Sequence, residues 1–545
     1  MKIVLAEKVS PSTLAIFQKE SGWNIVTADK IKSLPDELAD ADALIVRSAV
    51  QADAALLAAA PKLRIIGRAG VGVDNIDANE ATRRGIVVMN TPGANATAVA
   101  ELTLGLMIAM CRSIPQANAS MHAGKWDKKS LQGSELRGKT LGIVGLGRIG
   151  LEVARRAKAF GMTLIGYDPF VATVIARENG VTLVPIDEIF AESDFLSLHV
   201  GLTPQTEGLI NKQSLAIMKK GIRIINCARG ELIVDAALAE AIQSGHVAGA
   251  ALDVFRSEPL KDSPFFGLDN VFLSPHIAGS TDEAQEAIGI QLANQVRDYL
   301  KLGVVQNAVN VASLSEEEYA EVSPYIEMAA RLGQFLAHSS EGNIESVDLS
   351  YNGRLAELKT DLIRNAAIAG LLAGSDGINR INAPSLAADR GIRVREDKRA
   401  HIPGGTGAVL RILRHSVSGD SVATGTVLHG QSPRLLSYDG IDIEAELSGT
   451  LAVIRNNDVP GVVGRIGTIL GDHKLNIANF ALGRSGATPA RSAPAHSLRL
   501  PEGQALAVVQ LDVPTEAQPD LQSALTELRA VDAITSVRTV ELGRL

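Results

Sequence analysis

The chain has 545 residues, 61 of them acidic and 53 basic, for a formal net charge of −8 with neutral histidines. That balance, with no long basic run and only 3% aromatic residues, argues against a nucleic-acid surface built on phosphate neutralisation and base stacking. The two cysteines, Cys111 and Cys227, are too few for a disulfide framework and fit a reducing, cytoplasmic setting.

The length implies three or four domains. Short apolar strands are predicted at Lys2–Leu5, Ala43–Val46, 63–66 and 86–89, with helical patterns between them. This is a small doubly wound α/β unit. The opening apolar run is too short for a signal peptide. A long helix is predicted over Ala96–Arg112. Its apolar stretch 98–110 carries Glu101 and is shorter than a membrane span requires, so it reads as a buried helix. A second α/β unit follows, with strands at Thr140–Val144, 162–167, 195–199, Ile222–Asn226, 249–253 and 271–274 and a helical pattern over 151–160. Another long helix is predicted over 282–300. Two long helices flanking the second unit imply two crossings between lobes. The first lobe is then discontinuous, and the cleft between lobes can close to exclude water. Beyond residue 312, helical patterns at 317–338 and 361–373 give way to short strands such as 408–413 and 421–424, with no catalytic constellation up to residue 448. The last part reads strand–helix–strand–strand–helix–strand, with strands at 450–454, 475–480, 505–511 and 534–540 and helices at 462–473 and 520–530. That is the βαββαβ ferredoxin-like order. Residues 484–497, rich in Ser, Ala, Pro and Arg, read as a long flexible hairpin loop.

The glycines of Gly145-Leu-Gly-Arg-Ile-Gly150 follow a strand and open a helix, and Asp168 ends the next strand. Gly145 allows the tight turn, Gly147 lets backbone N–H groups approach a pyrophosphate, and Gly150 lets the helix pack close to the strand. The helix N-terminus then faces the phosphates. Asp168 can accept from ribose hydroxyls and repels a 2′-phosphate, and Pro169 follows it, so the reading is NAD over NADP. Three further polar residues fall at predicted strand ends of the same unit: Arg229, Glu258 and His276. Ligands of open α/β sheets bind beyond the carboxyl ends of the strands, so these residues converge on one crevice. A histidine can take a hydroxyl proton as hydride leaves, a carboxylate can orient it, and an arginine can hold a substrate carboxylate bidentately. Each alone has a plainer reading, as a loop histidine, a solvated turn carboxylate or a surface arginine; together on successive strand ends they suit oxidation of a 2-hydroxy acid. No metal is expected.

The stretches Gly142–Gly150, Met218–Gly230, Gly249–Phe255 and Ser274–Ser280 resemble the signatures of the D-isomer-specific 2-hydroxyacid dehydrogenases. The whole chain resembles the long, regulated members of that family that act on 3-phospho-D-glycerate. The resemblance implies an α/β fold of two doubly wound parallel-sheet lobes. A Rossmann NAD-binding lobe (96–280) is inserted in a discontinuous substrate lobe (1–95 and 281–311). An α+β intervening domain (312–448) and a ferredoxin-like βαββαβ ACT domain (449–545) follow. It implies Arg229, Glu258 and His276 as the catalytic set. It implies NAD contacts at Gly145, Gly147, Arg148, Ile149, Gly150, Asp168, Thr203, Cys227, Ala228, Arg229, Asp253, His276 and Gly279. It places the substrate at Arg47, Ser48, Gly70, Val71, Gly72 and Asn95. Val71 stands where some relatives carry threonine, so no side-chain hydroxyl is offered there.

The C-terminal module resembles an ACT domain through Asn456–Gly464 and Leu475–Ala478. The resemblance implies serine as effector at Asn456, Asp458 and Asn476, met across a pair of domains, and a homo-oligomer, dimer or tetramer. The activity so implied is NAD-dependent oxidation of 3-phospho-D-glycerate to 3-phosphohydroxypyruvate, the entry to L-serine, feedback-regulated by serine. Two rival readings are a reductase for glyoxylate, hydroxypyruvate or another D-2-hydroxyacid, and a dinucleotide-sensing binding protein of the corepressor type. The regulatory tail argues against the first, and the intact Arg229, Glu258 and His276 against the second.

Overall fold

A computed structural model of the chain describes residues 1–400, 407–485, 503–513 and 518–543. Its first sheet is five-stranded and parallel, in the spatial order Asn24–Val26, Lys2–Leu5, Ala43–Val46, Ile65–Arg68, Val87–Met89. Its central strands Ala43–Val46 and Ile65–Arg68 are buried on both faces over nearly their whole length, which is why they read as apolar runs rather than alternating ones. The helix Asp282–Leu302 returns to this sheet. Thr281 caps its start, accepting from Ala284 N at 3.2 Å, and Gly303 ends it in the left-handed region at φ +74°. Ile288, Leu292, Val296 and Leu300 share a core with Ile3, Ile45 and Val87, so this helix completes the first lobe.

The second sheet has seven parallel strands, ordered Val271–Leu273, Val247–Leu252, Ile222–Asn226, Phe195–Leu198, Thr140–Val144, Thr163–Tyr167, Thr182–Leu183. Strand order reverses between Thr140–Val144 and Phe195–Leu198, the switch point where doubly wound sheets open a crevice. The helix Ala96–Arg112 covers this sheet and buries Val99, Leu104 and Met107 against Leu141 and Ala251. Among the described residues no single helix is long and apolar enough to cross a membrane.

The third sheet has six strands and is covered by the helix Glu316–Ser339, which packs on the helix Asp361–Leu371. A Ser315–Glu318 capping box starts the longer helix. The fourth sheet is antiparallel, ordered Asn476–Arg484, Gln504–Asp512, Gly449–Asn457, Ile534–Leu542, the arrangement expected of βαββαβ. Its helices cover one face through Ile466, Leu470, Leu521 and Leu525. Its other face buries Leu451, Val453, Leu506 and Val540 in the same core as Leu332 and Phe335. The third and fourth sheets therefore share one continuous core. The predicted hairpin loop 484–497 lies outside the described residues from 486 onward.

Candidate active site in the interlobe cleft

The glycine turn folds as its sequence requires. Gly145 sits at φ +95°, and a Cβ there would overlap the His199 carbonyl. A Cβ on Gly150 would overlap the Gly145 carbonyl, so only glycine lets this helix come so close to the strand. No side chain caps the helix Arg148–Ala159 at Gly147, and the space beyond the Gly147 Cα is open. An uncapped helix N-terminus facing open space fits a pyrophosphate. Asp168 accepts from Leu146 N at 2.8 Å through one oxygen, and from Phe170 N at 2.8 Å and Val171 N at 3.1 Å through the other. Three of a carboxylate's roughly four lone pairs are thus used on backbone, leaving room for one ribose hydroxyl more readily than for two.

Hydrogen bonding joins two of the three strand-end residues, Glu258 and His276. His276 Nδ1 lies 2.7 Å from Glu258 Oε2, and Glu258 Oε1 accepts from Phe255 N at 2.9 Å. The imidazole is thereby oriented by a carboxylate that is itself fixed to backbone, which leaves Nε2 for chemistry. His276 adopts φ +53°, a left-handed conformation uncommon for a non-glycine residue. Asp253 holds that turn: it accepts from Ser274 Oγ at 2.6 Å, Ile277 N at 2.9 Å and Ala278 N at 2.8 Å, and it is fully buried. Arg229 follows the strand Ile222–Asn226, and the Asn226 side chain shapes the turn by donating to Arg229 O at 2.8 Å and accepting from Ala228 N at 3.0 Å. Arg229 donates from Nη1 to Ala228 O at 2.7 Å and pairs through Nη2 with Asp74 of the first lobe at 3.2 Å.

On the first-lobe side, Arg47 and Ser48 follow the strand Ala43–Val46 and the Gly70-Val71-Gly72 loop follows Ile65–Arg68. Glu7 ties the first loop by accepting from Arg47 N at 2.8 Å and Val50 N at 3.2 Å. Thr91 N donates to Gly70 O at 3.0 Å and Asn90 Nδ2 to Val71 O at 2.5 Å, which set the second. Arg68 is half-buried with an unpartnered Nε, and burial, helped by the nearby Arg229 charge, pushes its pKa below the usual guanidinium value. Asn95 begins the long helix and packs against Gly279 across the cleft, and its Oδ1 is a buried acceptor with no partner. Arg148 reaches across to donate to the Pro92 carbonyl.

Two expected cofactor residues, Asp253 and Cys227, are buried. Asp253 spends both oxygens on the His276 turn, and Cys227 is buried with its thiol pKa pushed up to about 12 by that burial, so it carries no thiolate at neutral pH. Ile149 is partly buried against the nucleotide-lobe core, and Thr203 sits exposed on a turn closed by Thr206 Oγ1 at 2.8 Å. Sequence reasoning missed Asp74, Asn226, Glu7 and Arg68. It also missed His199, whose pKa burial lowers to about 4, beside Ser197 Oγ at 2.8 Å. A signal existed for Asp74 and Arg68, which flank the Gly70-Val71-Gly72 loop by two residues on either side; none existed for Glu7, forty residues from the loop it ties.

In the fourth sheet the expected effector residues are separated. Asn456 registers with Ala505 and Asn476 with Asp512 on the strand between them, about 24 Å apart along it at roughly 3.4 Å per residue. Asp458 pairs with Arg484 at 3.3 Å, Asn476 donates to Asp512 at 2.7 Å, and Asn456 Oδ1 is buried without a partner.

Comparison with known proteins shows which family the chain resembles along its length. The model of the D-isomer specific 2-hydroxyacid dehydrogenase NAD binding domain matches residues 104–278. That of the D-3-phosphoglycerate dehydrogenase intervening domain matches residues 321–439. D-3-phosphoglycerate dehydrogenase of Methanocaldococcus jannaschii is 42% identical over 487 residues, covering 89% of this chain and 92% of that protein. The Archaeoglobus fulgidus protein of the same name is 38% identical over 546 residues, covering 99% and 100%. The crystal structure of D-lactate dehydrogenase from Aquifex aeolicus complexed with NAD and lactic acid aligns over 57% of this chain and 100% of its own, at 28% identity and a TM-score of 0.51. Two nearly full-length relatives, an NAD-binding-domain match and an intervening-domain match lead to one conclusion: the chain belongs to the D-3-phosphoglycerate dehydrogenase family, within the D-isomer-specific 2-hydroxyacid dehydrogenases.

Proposed function

We propose that the protein oxidises 3-phospho-D-glycerate to 3-phosphohydroxypyruvate with NAD, the entry step to L-serine. The observation that carries the reading is the Glu258–His276 pair at 2.7 Å on the nucleotide-lobe side of a cleft that also holds Arg229. NAD, when bound at the Gly145–Gly150 turn, supplies the acceptor for the C2 hydride. Neutral His276 takes the C2 hydroxyl proton, and Glu258 stabilises the imidazolium that forms. Arg229 grips the substrate carboxylate, with the Val71 and Gly72 backbone N–H groups beside it. Arg47, Ser48 and Asn95 hold the rest of the substrate, and half-buried Arg68 adds positive charge for the phosphate. Asp168 selects NAD by repelling a 2′-phosphate.

The division into a substrate lobe (1–95 and 281–311), an NAD lobe (96–280), an intervening domain (312–448) and a sensor domain (449–545) belongs to the same proposal. So does a cytoplasmic setting, in keeping with two free, buried cysteines. Serine is the proposed effector. Because Asn456 and Asp458 lie at one end of the fourth sheet and Asn476 at the other, one serine joins them only across two copies, which supports a homo-oligomer. Feedback then requires serine to bind two enzyme states unequally.

Initial rates of NADH formation test the reading. 3-Phosphoglycerate is expected to outrun glycerate and lactate by at least 100-fold in kcat/KM, NAD to be preferred over NADP, and serine to lower the rate. Faster turnover of glyoxylate or an unphosphorylated acid would return a reductase reading, and NADH binding without turnover of any hydroxy acid a sensing protein. A rate unchanged by saturating serine removes the effector role.

A further inference from the structure

The ion pair between Arg229 and Asp74 joins the two lobes. Arg229 stands on the nucleotide lobe after the strand Ile222–Asn226, and Asp74 on the first lobe, two residues past Gly72. Asp74 Oδ2 is 3.2 Å from Arg229 Nη2, with the Asp74 side chain 67% and the Arg229 side chain 28% exposed. The pair lies directly over Gly72: a Cβ there would overlap both Arg229 Nη2 and Asp74 Oδ2. A side chain at this position would displace the ion pair from where it lies.

A guanidinium has five N–H donors in a rigid fork. Arg229 commits one, from Nη1, to Ala228 O at 2.7 Å and one, from Nη2, to Asp74. The two acceptors come from opposite lobes and fix the plane of the group, while Nε and the remaining Nη protons stay available for a substrate carboxylate. Ala228 alone leaves the group free to swing about its single hydrogen bond. The second anchor comes from the other lobe.

We propose that Asp74 is a positioning residue for Arg229. Closure of the cleft brings Asp74 onto Nη2 and turns the guanidinium into its carboxylate-binding orientation, so that closing and assembling the site are one event. Asp74 does not touch the reacting atoms. Around Arg68, the charges of Arg68, Arg229 and Arg47 outnumber those of Asp74 and Glu7, so the Asp74 carboxylate does not repel a substrate that carries a carboxylate and a phosphate. This inference rests on the proposed role of Arg229.

The test compares Asp74→Ala, Asp74→Asn, Arg229→Lys, Arg229→Ala and the double variant Asp74→Ala/Arg229→Lys in the full-length protein. Readouts are kcat and KM for 3-phosphoglycerate and the dissociation constant of NADH. Asp74→Ala is expected to lower kcat/KM tenfold or more with NADH affinity within twofold. Asp74→Asn, whose amide oxygen still accepts from Nη2, should recover part of the loss. In the Arg229→Lys background the same alanine substitution should cost less than threefold, because the fork it orients is gone; a loop-folding role for Asp74 would subtract equally from both backgrounds. Near-normal kcat/KM in Asp74→Ala, alongside an inactive Arg229→Ala, overturns the inference and leaves the Arg229 reading standing. A lower KM in Asp74→Ala also overturns it, by making Asp74 a competitor of the substrate carboxylate. Substantial activity in Arg229→Ala overturns the Arg229 reading itself. Should Asp74→Ala fail to fold, Asp74→Asn against its own Arg229→Lys double decides by the same criterion.

Discussion

Replacing His276 with alanine is expected to cut kcat by about 10²–10⁴-fold, the usual contribution of a positioned general base, while NADH affinity stays within a few-fold. The expectation follows from how little else the imidazole does. Its Nδ1 is engaged by Glu258 at 2.7 Å, and its ring is more than half exposed to the cleft, with 54% of the side chain accessible. The turn that carries it is held by Asp253 through Ser274 Oγ, Ile277 N and Ala278 N, bonds that do not involve the imidazole. Alanine also tolerates the left-handed backbone at φ +53° poorly, so asparagine, which enters that region more readily, is the better control for backbone effects. His276→Asn should be as inactive as His276→Ala, since neither can carry the proton. Single-turnover rates with fluorescence titration of NADH separate the two effects. Near-normal turnover in either variant would remove the histidine from the mechanism.

Replacing Arg229 with alanine is expected to lower kcat/KM for 3-phosphoglycerate by about 10²–10⁴-fold. Two charge-assisted hydrogen bonds to a substrate carboxylate contribute roughly 1.5–3 kcal/mol each, and both go with the guanidinium. Lysine should restore only part, because a point charge on a flexible stem cannot reproduce the planar fork. The loss should appear with oxalate too, as weaker inhibition, since oxalate offers a carboxylate but no phosphate. NADH affinity should change little, because the pyrophosphate site at Gly147 belongs to another turn. Steady-state kinetics with oxalate inhibition constants measure all of this. A full retention of kcat/KM in Arg229→Lys would show that charge alone, and not the fork, binds the carboxylate.

The parallel sheets were legible in the sequence because strands buried on both faces leave unbroken apolar runs. Ala43–Val46 and Ile222–Asn226 are read with their observed limits. The short edge strands Asn24–Val26 and Thr182–Leu183 escape that logic, since half-exposed edges need few apolar residues. In the third sheet, Ile344–Asn352 and Ile441–Glu446 alternate buried with accessible positions, a weaker pattern than an apolar run, and neither was anticipated. The shared core of the third and fourth sheets was also hidden, because Leu451, Val453 and Leu506 look the same whether they face helices or another domain.

At the site, residue type and strand-end position located Arg229, Glu258 and His276. The pairing of Glu258 with His276 rests on the path of the seventeen residues between them, which include the strand Val271–Leu273 and which no local pattern encodes. Asp253 illustrates the limit best. The family resemblance implied a cofactor contact for it; the structure shows it buried and accepting three hydrogen bonds from the turn that carries the histidine. Asp74 lay in plain view beside the glycine loop, but its partner stands 155 positions away on the other lobe.

The most direct measurement of the central claim follows the hydrogen on C2. With 3-phospho-D-glycerate deuterated at C2, the protein should convert NAD to NADH carrying one deuterium per phosphohydroxypyruvate formed, with no deuterium released to water, because hydride passes straight from C2 to the nicotinamide while His276 takes only the hydroxyl proton. Deuterium appearing in solvent, or unlabelled NADH, would contradict that account.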